Sequence, residues 1–231
     1  MKRDIILLDN FYERPLEVIR YAYSLEFVPS YSRMITSRYR SAQTCPFKSS
    51  EDLIAKLEFA TGETIDRESW NADFPLLPSG QPAPQKKGDS RPTCFWNAAF
   101  HAKFSSEVQI GDGIHNHTEV DEWNPTGAEG WVGLVYLDRN ETNLQGGLRT
   151  WRNRDPRRQF EWMTPKEHWI LLDTYACIFN RLILHRGDIP HSATAGWGDM
   201  IENSRFFQTF FFKTTGTKKI AGVEPNIPQD F

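Results

Sequence analysis

Residues 131–137 have the sequence WVGLVYL, an almost uninterrupted apolar run near the middle of the chain. A run of this length without alternating polar residues is typical of a strand that is covered on both faces of its sheet. The Gly146–Gly147 pair marks a turn after this run. Further strand patterns surround it, at residues 93–104, 148–151, 169–175, 178–185 and 206–212. The second half of the chain is therefore predicted to consist mainly of strands.

The first part of the chain contains helical patterns beside one strand. Residues 5–8 (IILL) predict a short buried strand. Pro15 then opens a segment in which apolar residues recur every three to four positions, as they do in an amphipathic helix. A second helix is predicted after Ser49 and Ser50, whose hydroxyl groups can cap its first turn, and Gly62 is its predicted end.

The remaining segments indicate loops within one domain. Residues 29–46 show no clear period and are predicted to form a loop. Residues 76–92 are rich in proline and glycine and predict a longer surface loop. We expect a single domain over residues 1–231, with a strand and helices in residues 1–75 and a β core in residues 93–231. Helices followed by many strands predict an α+β fold whose N-terminal helices pack on a β-sandwich or jelly-roll core.

Composition narrows the class of protein. The chain is 39% hydrophobic and 25% charged with a formal net charge of −3, so its electrostatics favour neither a nucleic acid nor an acidic membrane as a partner. The three cysteines (Cys45, Cys94 and Cys177) are widely spaced and predict reduced thiols. The apolar run at the N-terminus is too short for a signal peptide. We therefore expect a soluble, cytoplasmic protein without membrane segments.

A second segment carries the chemistry. Residues 114–123 (IHNHTEVDEW) hold two of the six histidines and three carboxylates. In an extended segment alternate side chains share a face, so His115, His117, Glu119 and Asp121 point to the same side. Imidazole and carboxylate groups that converge on one point suit a divalent metal such as iron or zinc. One short strand seldom completes a metal site, and His191 is the expected ligand from elsewhere.

Taken together, these motifs resemble the non-haem Fe(II)/2-oxoglutarate-dependent oxygenases, which have a double-stranded β-helix (jelly-roll or cupin-like) core. The resemblance rests on the order of the histidine-rich segment, the strand at 131–137, the glycine turn with Trp151, the sequence NRLIL at 180–184 leading to His191, and Arg205 within SRFFQTFFF. Residues 6–27 also resemble the opening of an uncharacterised bacterial and phage subgroup.

The resemblance implies a cofactor, a co-substrate and a reaction. Two histidines and a carboxylate would hold Fe(II) and leave positions for 2-oxoglutarate and O2. Arg205 would bind the far carboxylate of 2-oxoglutarate through its planar fork of donors. Asn97 and Tyr136 are further candidates for the co-substrate pocket. The implied activity is hydroxylation of an unactivated C–H bond in a small amino-acid-like metabolite or a peptide side chain.

The exact ligand set stays open at this point. The usual motif is His-x-Asp or His-x-Glu, which His117 and Glu119 match directly. If His115 is the first ligand instead, His117 occupies the position of the acid, unless a nearby carboxylate such as Asp121 takes part. His185 is a rival to His191 as the distal ligand, but the spacing between His191 and Arg205 suits the superfamily better.

Two other functions compete with the oxygenase. The first is a cupin-like metalloenzyme that uses three histidines and no 2-oxoglutarate. The second is a non-enzymatic β-sandwich binding module. Iron-dependent halogenases of the same superfamily replace the acid with glycine or alanine, and neither residue occurs at positions 117, 119 or 121. His101 and His168 are expected to have structural roles.

Overall fold

The computed structural model describes residues 5–29, 41–44, 51–70, 97–105, 113–118, 126–139, 144, 146–155 and 165–217. The predicted loop at 76–92 lies outside these residues, and so do two of the candidate ligands, Glu119 and Asp121. Among the described helices, none is both long enough and apolar enough to cross a membrane.

The described chain is mostly β-structure with few helices. The helices are α1 (Pro15–Tyr23), α2 (Glu51–Thr61) and α3 (Arg67–Trp70). The strands are β1 (Ile5–Leu8), β2 (Val28–Pro29), β3 (Ser41–Gln43), β4 (Glu63–Ile65), β5 (Phe100–Lys103), β6 (Trp131–Tyr136), β7 (Leu148–Asn153), β8 (Trp169–Tyr175), β9 (Leu182–Arg186), β10 (His191–Ala193), β11 (Arg205–Phe212) and β12 (Thr214–Thr217).

These strands form two main sheets with antiparallel pairing throughout. The large sheet has the order β1-β9-β6-β11-β5-β3-β2, and the small sheet has the order β10-β7-β8. Strands β12 and β4 form a separate pair. From β5 to β11 the chain passes repeatedly between the large and the small sheet, which is typical of a jelly-roll-like sandwich. The predicted α+β architecture with a β-sandwich or jelly-roll core is therefore confirmed at this level.

The hydrophobic core explains why the N-terminal helices are needed. In α1 the proline stands at the helix start, where its missing N–H costs nothing, and Ile19 and Ala22 are buried. In α2 the buried face includes Leu53 and Leu57, and Gly62 ends the helix with a φ of 68°. These residues join one cluster with Phe206, Phe210 and Phe212, which occupy one face of β11. The helices thereby cover the outer face of the large sheet.

The segment with the sequence WVGLVYL forms the central strand of the large sheet, as predicted. All six residues of β6 are buried, between β9 on one side and β11 on the other. Residues 5–8 also form the predicted strand, but Leu7 is 47% exposed. The difference arises because β1 is the edge strand of its sheet and only one of its faces meets the core.

Other details differ from the sequence prediction. The region predicted as a loop at 29–46 includes β3, which gains its backbone hydrogen bonds from β5, a long-range pairing that local patterns do not reveal. The strand predicted at 178–185 begins only at Leu182, because Asn180 adopts a left-handed φ of 62° and its side chain bonds to the backbone of Tyr12. The predicted apolar face of α1 includes Leu16, which is 47% exposed.

Candidate metal centre

Three histidines from two distant segments converge on one point. The nitrogen atoms that His115, His117 and His191 can offer to a metal all lie within 4.8 Å of one another. The convergence is produced by an antiparallel bridge between His115 and His191, in which each backbone N–H donates to the other residue's carbonyl at 3.0 and 2.8 Å. The segment that holds His115 thus lies beside β10 and extends the small sheet.

Backbone hydrogen bonds orient two of these rings for metal binding. The Nδ1–H of His115 donates to the carbonyl of Gly113 at 2.7 Å, and the Nδ1–H of His191 donates to the carbonyl of Ile189 at 2.9 Å. A carbonyl can only accept, so the proton must be on Nδ1 and the lone pair on Nε2. Rings held in this way present Nε2 as a ligand, which is the usual arrangement around a protein-bound metal. The residues therefore fit a divalent cation.

His117 is held by a close approach of two chain segments. Its backbone N–H donates to the carbonyl of Gly187 at 2.6 Å. A Cβ atom on Gly187 would lie 2.0 Å from the carbonyl oxygen of Gly127 and 3.2 Å from that of His117, so only glycine allows this packing. The His117 ring also meets the ring of Phe211 edge-on, with 5.5 Å between the ring centroids.

The electrostatics of the cluster favour neutral imidazoles. Burial lowers the pKa of His115, and burial together with repulsion from neighbouring histidines holds the pKa of His117 and of His191 well below the ordinary value. Uncharged rings are the form that binds metal, because the lone pair must be free. The site is thus arranged to receive a cation without first losing protons at neutral pH.

A fourth histidine lies beside the cluster. His185 is 1% exposed, its Nδ1–H donates to the carbonyl of Arg186 at 2.8 Å, and its ring centroid lies 4.1 Å from that of His191. Sequence reasoning treated His185 as a rival of His191, whereas the structure brings both histidines to the same place. His185 pairs with Val132 of β6, and Val132 pairs with Phe211 of β11. Its side chain therefore lies on the same face of the large sheet as Phe211, the face that His117 contacts.

Arg205 lies completely buried at the start of β11. Its Nη1 donates to the carbonyl of Thr194 at 3.3 Å, and its Nη2 lies 3.5 Å from both the Tyr136 hydroxyl and the Gly147 carbonyl. No carboxylate of the described residues forms an ion pair with it. Its Nε, also buried, has no hydrogen-bond partner. A buried guanidinium without an anion is unfavourable, so this surrounding indicates a place for an anionic ligand.

An apolar wall separates this arginine from bulk water. The guanidinium carbon lies 5.0 Å from the ring centroid of Phe207 and 5.6 Å from that of Tyr136. The buried cluster around them consists of Leu134, Tyr136, Leu148, Cys177 and Ile183, with Tyr175, Trp197 and Phe207 packed against it. Thr194, which accepts from Arg205, follows His191 by three residues, or about 10 Å of extended chain. Arg205 and the histidine cluster therefore belong to one interior.

Among the described candidate residues, the structure brings Tyr136 to Arg205 but gives Asn97 different contacts. The Asn97 amide accepts from the backbone N–H of Phe211 at 3.0 Å and donates to the carbonyl of Trp70 at 3.5 Å. Its contacts are thus with backbone groups of α3 and β11. The assignment of Asn97 to the co-substrate pocket stays a prediction, as do the roles of the other site residues.

Comparison with known proteins finds similarity in structure but not in sequence. No protein-family model and no curated protein sequence matches the chain. Among solved structures, the non-haem alpha-ketoglutarate-dependent epimerase SnoN from nogalamycin biosynthesis aligns with a TM-score of 0.51 and 14% identity, covering 91% of this chain and 78% of that one. HygX from Streptomyces hygroscopicus, solved with nickel, 2-oxoglutarate and hygromycin B, aligns with a TM-score of 0.49 and 10% identity, covering 93% and 84%.

A prolyl-4-hydroxylase from Pseudomonas putida also aligns, with a TM-score of 0.43 and 10% identity, covering 92% of this chain and 94% of that one. At 14% identity the likeness to SnoN concerns the fold and not the reaction. The resemblance inferred from the sequence is confirmed at that level: the chain shares its fold with SnoN, a non-haem enzyme that depends on alpha-ketoglutarate.

Proposed function

We propose that the protein is an Fe(II)- and 2-oxoglutarate-dependent oxygenase that hydroxylates an unactivated C–H bond of a small amino-acid-like metabolite or a peptide side chain. One observation carries the proposal: three convergent imidazoles share an interior with a fully buried arginine that has no carboxylate partner among the described residues. A metal ligand set and an anion site in one interior are what a chelating, dianionic co-substrate requires.

The fold proposed for this enzyme is the double-stranded β-helix. The order in which the chain visits the two sheets supports it. Strand β5 lies in the large sheet, the His115 segment extends the small one, and β6 returns to the large one. Strands β7 and β8 are then in the small sheet, β9 in the large, β10 in the small and β11 in the large. The histidine segments are neighbours in the small sheet as a direct consequence.

In the proposed site, His115, His117 and His191 would hold the iron, with Glu119 as the alternative acidic ligand. When bound with 2-oxoglutarate and O2, the metal supplies an oxidation in which 2-oxoglutarate loses CO2 and keeps one oxygen as succinate, while the other oxygen enters the substrate C–H bond. The chain itself orients the imidazoles through the carbonyls of Gly113 and Ile189.

The remaining residues of the site bind and shelter the co-substrate. Arg205 would pair with the far carboxylate of 2-oxoglutarate, and the Tyr136 hydroxyl lies beside the same guanidinium. The aromatic rings of Phe207 and Tyr136 exclude water, which strengthens the ion pair.

The test is the Fe(II)-dependent conversion of 2-oxoglutarate to succinate in the presence of O2. We expect the wild-type protein to form succinate and His191→Ala to lose both this activity and stoichiometric metal binding. The matched control is His168→Ala, which changes a histidine in the short 3-10 turn Lys166–His168 outside the cluster. Intact activity in His191→Ala would remove the distal ligand, and an inactive wild type would contradict the proposal. Product mass distinguishes hydroxylation from epimerisation, the reaction of SnoN.

A second candidate is a cupin-like metalloenzyme that uses three histidines and no 2-oxoglutarate. It is favoured by the fact that the ligand set found among the described residues contains histidines alone. In that case Arg205→Ala would leave activity nearly unchanged. If the protein is the oxygenase, the same variant should need a far higher 2-oxoglutarate concentration than the wild type. A non-enzymatic β-sandwich module, the third possibility, would contain metal well below one equivalent after purification and addition of iron.

A further inference from the structure

Arg205 shares its pocket with a second cation, Lys103. Strands β5 and β11 pair with Lys103 directly opposite Arg205, which puts both side chains on the same face of the large sheet. Their charged ends meet at one acceptor: Lys103 Nζ donates to the carbonyl of Thr194 at 3.1 Å, and Arg205 Nη1 donates to the same oxygen at 3.3 Å. The two cations thus converge on a single point of the interior.

The two cations repel each other. Burial, and then repulsion from Arg205, lower the pKa of the Lys103 amine to about 7 from its usual 10.5. Two like charges in a dry interior destabilise each other. An anion placed between the two side chains would be attracted by both.

The residues around this point also offer unused hydrogen-bond donors. Three buried polar atoms here have no partner in the described structure: Nε of Arg205, Oγ1 of Thr194 and Nε1 of Trp197. The segment that carries two of them is anchored beside Lys103, because the backbone N–H of Trp197 donates to the Lys103 carbonyl at 3.3 Å. Buried donors without acceptors are rare in folded proteins, and several at one place indicate a missing polar ligand.

We propose that Lys103 is the second cation of the co-substrate pocket, so that Lys103 and Arg205 together bind the far carboxylate of a dicarboxylate such as 2-oxoglutarate. The inference rests on the proposed function in naming the co-substrate, and it adds a binding residue on β5 to the arginine on β11. With two cations for one carboxylate, the pocket selects against keto acids that lack the second carboxylate, such as pyruvate.

Protonation of Lys103 should make anion binding in this pocket depend on pH. Among the described residues, the titratable groups near the pocket on other elements include Tyr136 and Cys177, and burial raises the pKa of each to about 12. The charged side chains that act on these two groups are Arg205, Arg181 and Asp138. His101, on the same strand as Lys103, has its pKa lowered to about 3 by burial. Near neutral pH Tyr136, Cys177 and His101 stay uncharged, so Lys103 is the group of this set whose charge changes. Binding of a dicarboxylate should therefore weaken as the pH rises above about 7.

The test is a calorimetric titration of the full-length protein without added metal, using glutarate, which has both carboxylates but no keto group to chelate iron. Titrations are made at pH 6.5 and pH 8.5. We expect Lys103→Met to weaken glutarate binding at pH 6.5 by roughly ten- to a hundredfold, the loss of one charged hydrogen-bonding partner. The same variant should lose the pH dependence, and Lys103→Arg should retain tight binding at pH 8.5. Lys56→Met is the matched control, since Lys56 is a half-buried lysine of α2 that forms an ion pair with Glu13.

Two results would overturn the inference: no glutarate binding by the wild-type protein, or wild-type affinity and pH dependence in Lys103→Met. If Lys103→Met does not fold by circular dichroism, the wild type decides, since an affinity that is equal at both pH values contradicts a role for Lys103. A different result would contradict the proposed function alone. If glutarate binding depends on Lys103 but the protein forms no complex with Fe(II) and 2-oxoglutarate, it is not the oxygenase, and the anion pocket of Lys103 and Arg205 is still supported.

Discussion

Two buried arginines of the large sheet have opposite surroundings. Arg186 at the end of β9 is 5% exposed, forms an ion pair with Glu63, donates to the carbonyl of Glu129 at 2.8 Å and lies 3.9 Å from the ring centroid of Trp131. Arg205 is 0% exposed, and its hydrogen-bond partners among the described residues are carbonyl and hydroxyl groups at 3.3 to 3.5 Å. Within the described part of the chain, one of the two cations is paired with a carboxylate and the other is not.

The difference indicates different roles for the two side chains. Glu63 also accepts from the Trp131 Nε1–H at 2.9 Å and the Thr214 hydroxyl at 2.6 Å, so this cluster ties β4 to β6, β9 and β12. Such a cluster stabilises the fold. A cation left without a counter-ion costs folding free energy, which is recovered when an anion binds.

The largest expected effect follows from removing the unpaired charge. Arg205→Met should lower the affinity for 2-oxoglutarate by roughly a hundred- to a thousandfold, as loss of one partner of a desolvated ion pair does. The free energy of unfolding should stay the same or rise, because a buried charge without a counter-ion has been removed. Ligand titration and urea unfolding measure the two quantities. A clear loss of stability with unchanged affinity would reverse the roles of the two arginines.

Removing Glu63, the counter-ion of Arg186, should lower stability and leave ligand affinity unchanged. Glu63→Gln is expected to lower the free energy of unfolding by about 2 kcal/mol, less than for a fully buried ion pair because the Glu63 side chain is 19% exposed. Affinity for 2-oxoglutarate in the folded protein should not change. Urea unfolding tests the first statement, with Glu17→Gln on the exposed face of α1 as the control. An unchanged unfolding midpoint would show that the Arg186 cluster contributes nothing to stability.

Acidification is expected to have a smaller effect on the free energy of unfolding. Burial raises the pKa of Glu63, but hydrogen bonds from Arg186, Thr214 and Trp131 outweigh it and hold that pKa below the ordinary 4.5. The stabilisation is therefore fully present above pH 4.5 and is lost as the pH falls through the lower, folded-state value. Urea midpoints measured from neutral pH downwards should fall less steeply in Glu63→Gln than in the wild type. Equal slopes would contradict the assignment.

How much of this could be predicted from sequence depends on the range of the interactions. The strand β6 follows from its own continuous apolar run, and α1 begins at a proline that marks its start. By contrast, β10 has three residues after Pro190, too few to show any pattern, and it exists because it pairs with β7. Short edge strands owe their existence to a distant partner, and this information is absent from the local sequence.

The candidate site shows the same division. Alternation in an extended segment selected His115 and His117, and the family resemblance added Arg205 to the candidates. The structure puts His115, His117 and the third candidate, His191, together. Lys103 was not among the candidates, because cross-strand register alone brings it opposite Arg205. His185 was considered only as a rival of His191, whereas the structure puts the two rings side by side. The two candidate acidic ligands, Glu119 and Asp121, lie outside the described residues, and His117 is the alternative ligand at that position.

The most direct test of the central claim is spectroscopic. Under anaerobic conditions, the metal-free protein is titrated with Fe(II) and then with 2-oxoglutarate, while the weak visible charge-transfer band of the chelate is recorded. The oxygenase account predicts that the band appears in the wild type at one equivalent of iron and needs a far higher 2-oxoglutarate concentration in Arg205→Met. Bound iron without the band would favour the three-histidine enzyme, and absence of iron binding would contradict both enzyme functions.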